Sequence, residues 1–247
     1  MPLSARIRRG VILVAALTGV ATTFSLGQWQ LSRAAQKQAM VDHRERQKAL
    51  PDLDLNAPQA IEIIASDVAT HLDRRVRVVG RWESARTVFL DNRQMDGRPG
   101  FYVLTPLRTP GGSVLMVQRG WLPRDPRDRE ALPPVPTPQE PVELRGRIAP
   151  PPPRLLELAA APTPGTSVIR QNLDLAAFST ETGLALAPFT VLMTGDAPDG
   201  LLRRWPDVGS GVAKHHGYAF QWFGLSALIA VLYVWFQFIA PRRRPRG

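Results

Sequence analysis

A chain of 247 residues has room for one extramembrane domain of ordinary size plus membrane segments, at roughly 100–200 residues per domain. Its formal charge of +10 comes almost wholly from arginines scattered along the sequence, without the basic run interleaved with aromatics that marks a nucleic-acid footprint. The absence of cysteine excludes disulfides, thiol catalysis and thiolate metal sites.

The first apolar stretch, GVILVAALTGVATTFSLG from Gly10 to Gly27, follows Arg6, Arg8 and Arg9. Thr18, Thr22, Thr23 and Ser25 dilute it, and small residues at Ser25 and Gly27 leave two readings open: a retained membrane helix over residues 10–28 and a cleaved signal peptide. The following stretch, WQLSRAAQKQAMVDHRERQKAL from Trp29 to Leu50, lacks Gly and Pro. It predicts that the helix continues out of the membrane until Pro51 stops it. PQAIEIIASDVATH, from Pro58 to His71, places Ile61, Ile64, Ala65 and Val68 at helical spacing and predicts a short amphipathic helix.

The period then changes. RVRVVGRW, from Arg75 to Trp82, alternates apolar and arginine positions as a half-buried strand does. TVFLDNRQ from Thr87, FYVLTPL after the turn-forming MDGRPG, and SVLMVQRGWL after Gly111-Gly112 predict further strands joined by hairpins. PVELRGRIA from Pro141, SVIRQNL from Ser167 and PFTVLMTG from Pro188 complete six or seven candidates, with one helix interposed from Asp174 to Thr182. Gly97, Gly100 and Gly120 read as shaping the β domain. Proline clusters at Pro133 to Pro141, Pro150 to Pro153 and Pro162 to Pro164 read as extended surface connections, a proline-recognition ligand being the alternative.

The last apolar stretch, YAFQWFGLSALIAVLYVWFQFIA from Tyr218 to Ala240, carries no charge over 23 residues. At about 1.5 Å per residue it crosses a hydrocarbon core of about 30 Å. Arg242, Arg243, Arg244 and Arg246 follow it and Lys214-His215-His216 precedes it. Arginine clusters at both termini favour a cytoplasmic face for both ends, although Arg33, Lys37, Arg44, Arg46 and Lys48 follow the first span on its other side. A segment as long as Gln28 to Lys214 crosses largely regardless of its charge.

The expected architecture is therefore an α+β membrane protein, with two transmembrane helices bracketing a β-rich, antiparallel sandwich or barrel-like extracytoplasmic domain. Its parts are residues 1–9 in the cytoplasm, a transmembrane helix over 10–28, an extracytoplasmic domain over 29–216, a second transmembrane helix over 217–240, and a cytoplasmic tail over 241–247.

No glycine-rich phosphate loop, nucleophile elbow or paired-histidine zinc helix occurs, so the chain does not read as an enzyme. Asp91, Asp96 and Asp125 sit in turn-like, arginine-rich contexts that suit caps and surface ion pairs. His43 and His71 stand alone. If residues from His215 onward are helical, His215, Tyr218 and Trp222 share one face. Two readings of that stripe stand: an ordinary interfacial aromatic belt, and a haem site with an imidazole ligand to iron and flat side chains against the porphyrin. In the second, Arg203, Arg204 and Lys214 are candidate propionate contacts.

Five segments together resemble the Surfeit locus protein 1 family of cytochrome c oxidase assembly factors. They are LGQWQLSRAAQK (Leu26 to Lys37), GRPGFYVLTPL (Gly97 to Leu107), VQRGWLPRD (Val117 to Asp125), LRGRI (Leu144 to Ile148) and HHGYAFQWFGLSA (His215 to Ala227). The resemblance covers nearly the whole chain and implies two membrane helices around an outer β-rich domain, with the first helix retained. It implies a role in building haem-copper oxidases: binding haem a transiently at the outer membrane face and assisting its entry into the large catalytic subunit, with the haem a synthesis machinery as a further partner. The implied location is the cell inner membrane, with the main domain periplasmic, or the mitochondrial inner membrane in a eukaryote.

In relatives the histidine opening the last helix stands three before a tyrosine and seven before a tryptophan. The resemblance therefore implies His215 as the haem-iron ligand, with Tyr218 and Trp222 as haem-facing aromatics. Trp29 and Arg33 match the first motif, but the second aromatic often found near Gln36 is absent, and no second axial ligand carries over. Two other classes stay open: a haem-free membrane chaperone holding an oxidase assembly intermediate, and an anchored binding domain for a periplasmic solute.

Overall fold

The computed structural model describes residues 5–128, 131–156, 167–206, 209 and 211–240. The proline cluster at Pro162 to Pro164 and the C-terminal arginines lie outside them. The chain divides into two compact units. One is helical, built from residues up to Asp42 and from Asp207 onward, and the other is β-rich, from His43 to Pro206.

The helical unit pairs α1 (Ala5–Ala49) with α5 (Val212–Val234), which continues as a π-helical segment over Trp235–Ile239. Both are long and apolar enough to cross a membrane. α1 is one helix from the apolar stretch through Trp29 and on to Ala49, as its unbroken run of helix formers predicts. α5 begins before His215, so both histidines of the pair are helical.

The two helices meet antiparallel. Ile229 lies against Gly19, Ser226 Oγ donates to Val20 O at 3.3 Å, and Phe223 packs on Gly27 and Phe24. Seam positions Gly27, Gln30, Ala34 and Lys37 on α1, and His215, Ala219, Phe223, Ser226 and Ile229 on α5, recur at steps of three and four. This is the 3.5-residue repeat of a coiled-coil seam. Small residues bring the backbones close. Gly27 shows how close: a Cβ there would stand 2.5 to 2.8 Å from three atoms of the Phe223 ring.

The β unit is a barrel. Five strands close it: β2 (Arg75–Trp82), β4 (Arg98–Arg108), β5 (Val114–Pro123), β6 (Val142–Ala149) and β8 (Leu186–Met193). Going round, β2 pairs β6, β6 pairs β8, β8 pairs β5 and β5 pairs β4. The ring closes where Arg81 and Trp82 of β2 meet Arg108 and Leu107 of β4. β3 (Val88–Met95) extends the sheet from β4, the two-residue β7 (Ile169–Arg170) lies on β3, and β1 (Leu53–Asp54) lies on β2.

The expectation of an antiparallel domain fails at β5–β8, which pair in parallel. Parity is the reason. An odd number of strands cannot alternate in direction all the way round a closed ring, so five strands force at least one parallel neighbour. The short pairs β1–β2 and β3–β7 are parallel as well.

Alternation works as expected on β2, where Val76, Val78 and Trp82 are buried and Arg75, Arg77 and Arg81 are exposed. α2 (Pro58–Ser66) adds Ile61 and Ile64 to the same core, with Leu115, Val117, Ile148 and Phe189. The predicted helix over residues 58–71 is broken at Asp67, which instead caps the short α3 (Val68–His71). α4 (Leu175–Thr182), capped by Asp174, packs Leu175 and Phe178 on Val88, Leu90 and Met116. β5 is buried at every position but its last, because neighbours cover both its faces.

The two proline segments within the described residues are surface connections, as expected, and buried donors hold them down. Proline offers a carbonyl but no N–H. Arg119 donates to Pro136 O at 2.7 Å and Thr137 Oγ1 at 2.8 Å, Arg93 to Pro153 O at 2.7 Å, and Gln118 to Pro150 O at 3.0 Å. Gly97, at φ +75°, turns β3 into β4. Gly120 is no turn: a Cβ there would meet Leu201 at 2.6 Å.

Candidate functional site

In the helical unit, His215 lies half-buried on the seam, and its Nδ1 is 2.7 Å from Gln30 Oε1 on α1. Among the described residues no hydrogen bond engages its Nε2. His216, the next residue, is exposed and off the seam.

The Phe24–Phe223 contact fixes the remaining geometry. At 3.6 residues per turn, Phe24 and Phe223 project from the same flank of the helix pair, where their ring centroids are 5.4 Å apart. Trp29 and Arg33 on α1, with Tyr218 and Trp222 on α5, project from the opposite flank. Trp29 is 54% exposed and Tyr218 53%, while Trp222 is half-buried beside the seam. His215 sits at the floor of that flank, so the helical phase that grouped it with Tyr218 and Trp222 also brings Trp29 and Arg33 alongside. Arg33 Nη1 donates to Gln36 Oε1 at 3.1 Å.

Lys214 is exposed on α5. Arg203 and Arg204 belong to the β unit. Arg203 is held in a buried ion pair with Asp199 at 2.6 Å, while Arg204, largely exposed, pairs with Asp96 at 2.5 Å. Asp91 pairs with Arg124 at 3.3 Å, and the Asp125 carboxylate accepts the backbone N–H of Arg127, both structural roles. His43 Nε2 is 3.0 Å from Leu72 O, also a structural contact.

The family can now be assigned. The SURF1 family model matches residues 17–227, from the seam of α1 into α5. This chain belongs to the SURF1 family. It is similar to SURF1-like proteins of Rickettsia bellii, 26% identical over 84% of this chain and 83% of that protein, and of Rickettsia prowazekii, 27% identical over 87% and 86%. The Surfeit locus protein 1 of Arabidopsis thaliana is 29% identical over 44% of this chain and 33% of its own. For a SURF1 family member the matched region thus takes in α1 from residue 17 onward and α5 as far as residue 227, and with them every residue of the His215 flank.

Gln30 is the member of this site that sequence reasoning passed over. It lies in the LGQWQLSR segment, yet nothing local marks it as the partner of a residue 185 positions away.

A second concavity lies wholly in the β unit. It has a volume of about 540 Å³ and is walled by Trp82, Leu144, Met193 and Pro198, with Arg119 and Asp199 at its base. Arg119 is the extra residue where β5 slips against β4 between Gln118 and Gly120, a bulge that turns its side chain inward. It is 2% exposed, and its guanidinium lies 4.7 Å from the Trp82 ring. Burial lowers its pKa from the ordinary arginine value, and Asp199 opposes that shift.

Proposed function

We propose that this SURF1 family member is an assembly factor for a haem-copper cytochrome c oxidase. It holds haem a at the outer face of the membrane and passes it to the large catalytic subunit. The two helices anchor the chain as a multi-pass protein of a cell inner membrane, or of the mitochondrial inner membrane in a eukaryote, with the β unit on the outer side. The observation that carries this reading is the His215 hydrogen bond. With Nδ1 held by Gln30, the ring is oriented by a partner on the neighbouring helix, as metal-binding imidazoles usually are by their outer-shell partners.

The surrounding residues suit a flat, amphipathic cargo. Trp222 and Tyr218 offer aromatic faces beside the imidazole, and Trp29 adds a third from α1. Lys214 is the cation best placed for propionates at the water boundary. Arg203 is left out of the proposed contacts because its charge is already neutralised by buried Asp199.

When bound, haem iron supplies an open coordination position that an imidazole nitrogen fills. The proposed role is stoichiometric custody, which needs no covalent step. A single protein ligand, exchangeable for those of the oxidase subunit, keeps the hold moderate enough for release.

The test is the absorption spectrum of the detergent-purified full chain co-expressed with haem a synthesis, for the native protein and for His215→Ala. The expected result is stoichiometric haem a in the native protein and its loss or spectral change in the variant. Absence of haem from both would reject custody and favour a haem-free chaperone of the oxidase intermediate.

A further inference from the structure

We propose that Gln30 is a positioning residue that holds His215 in the tautomer protonated at Nδ1, keeping the Nε2 lone pair ready for a metal. The identity of that metal rests on the haem reading above, whereas the tautomer assignment does not.

A neutral imidazole carries one donor and one acceptor nitrogen. The glutamine carbonyl oxygen only accepts, so at 2.7 Å the Nδ1 facing Oε1 carries the proton. Free neutral imidazole side chains prefer the opposite arrangement, with the proton on Nε2, the atom that would have to lose it before coordinating. The seam makes the partner hard to replace. Residues one helical turn away are Ala34 and Ala219, both almost fully buried, and Gly27, closed off by the Phe223 ring. Those positions therefore offer Nδ1 no other side-chain acceptor.

The choice of glutamine also carries information. A carboxylate at this position would raise the basicity of the imidazole and tighten its grip on iron, as outer-shell carboxylates do at metal-binding histidines. A neutral amide fixes the orientation without that increment. Orientation with restrained affinity suits a site that must let its cargo go.

The experiment is long-range nitrogen–proton NMR on the haem-free full chain in detergent micelles, labelled with nitrogen-15 histidine. It is run at about pH 8, above the usual imidazole titration. His215 signals are assigned by their loss in His215→Gln. The expected spectrum shows a protonated, pyrrole-type Nδ1 and a pyridine-type Nε2 in the native chain. In Gln30→Met, which keeps the side-chain volume, the proton should move largely to Nε2, while Gln30→Glu should keep it on Nδ1. A native His215 protonated at Nε2, with the amide donating instead, would overturn the proposal. So would an unchanged tautomer in Gln30→Met.

Titration with ferric haem a then separates the two ideas. Gln30→Met should weaken binding, and Gln30→Glu tighten it, each by about ten-fold, the lower end of outer-shell effects. If the native chain binds no haem while the tautomer is as stated, the carrier reading fails and the positioning role stands.

Discussion

Replacing Asp199 by alanine should be among the most damaging single changes in the β unit. Its carboxylate is 7% exposed, lies 2.6 Å from Arg203 and 3.4 Å from Arg119, and accepts the Leu201 N–H at 3.2 Å. Both arginine side chains are themselves buried, at 8% and 2% exposure. Breaking a buried pair by removing one partner costs about 3–5 kcal/mol, because the remaining charge is stranded. Here two charges lose their partner. Arg119 keeps Thr137, Pro136 and the Trp82 ring, so the loss stays within that range, at about 4 kcal/mol. This is about a thousand-fold in the folding equilibrium at about 1.4 kcal/mol per decade.

Asp199→Asn retains the volume and an acceptor for Leu201 and should cost about half as much, since it still removes the charge. Adding Arg203→Met to the alanine variant should recover part of the loss, because one stranded charge disappears. The assay is urea unfolding of the detergent-solubilised full chain, followed by near-ultraviolet circular dichroism. A loss below about 1 kcal/mol for Asp199→Ala would place the pair in the surface class and refute the reasoning.

Two further outcomes follow from packing and titration. Gly27→Val should push Phe223 away at an overpacking cost of about 1–3 kcal/mol. Cysteines introduced at Val20 and Ser226 of this cysteine-free chain should then crosslink less on oxidation, and Phe223→Ala should restore the crosslink. Burial raises the Tyr102 phenol above its ordinary value, with Arg93 partly opposing. The stability this contributes is intact below about pH 10, where the unfolded phenol titrates, and is lost as pH rises through the higher native value. Alkaline denaturation midpoints should show a shallower decline for Tyr102→Phe than for the native chain.

The elements that sequence reading located best were those whose pattern is local. β2 runs from Arg75 to Trp82 as its alternation indicated, and α4 follows directly on its Asp174 cap. The hairpin at Gly111-Gly112 and the continuation of α1 to Ala49 were legible for the same reason. The parallel β5–β8 pair was not, because pairing between distant strands leaves no local trace. β7 is only two residues long, and beside it the Ser167 hydroxyl donates to Ile169 O and the Asn172 amide to Leu155 O.

The candidate site divides along the same line. His215, Tyr218 and Trp222 were grouped through helical phase on one element, and that element is helical throughout. Gln30 was missed because its meaning comes from α5, and nothing local shows that Asp199, four residues earlier, pairs with Arg203. A charge in a sequence does not disclose whether another charge already holds it.

The His215–Gln30 contact joins residues 185 positions apart, on helices that flank the whole β unit. Loops of that length close against a substantial entropic cost, and synthesis from the N-terminus presents α1 long before α5 exists. Until then the α1 seam, Gln30 included, has no partner from its own chain. A nascent or truncated product ending just after the barrel would carry a complete β unit and yet lack the His215–Gln30 contact. The contact therefore forms only with α5, which makes it a late checkpoint on the integrity of the polypeptide.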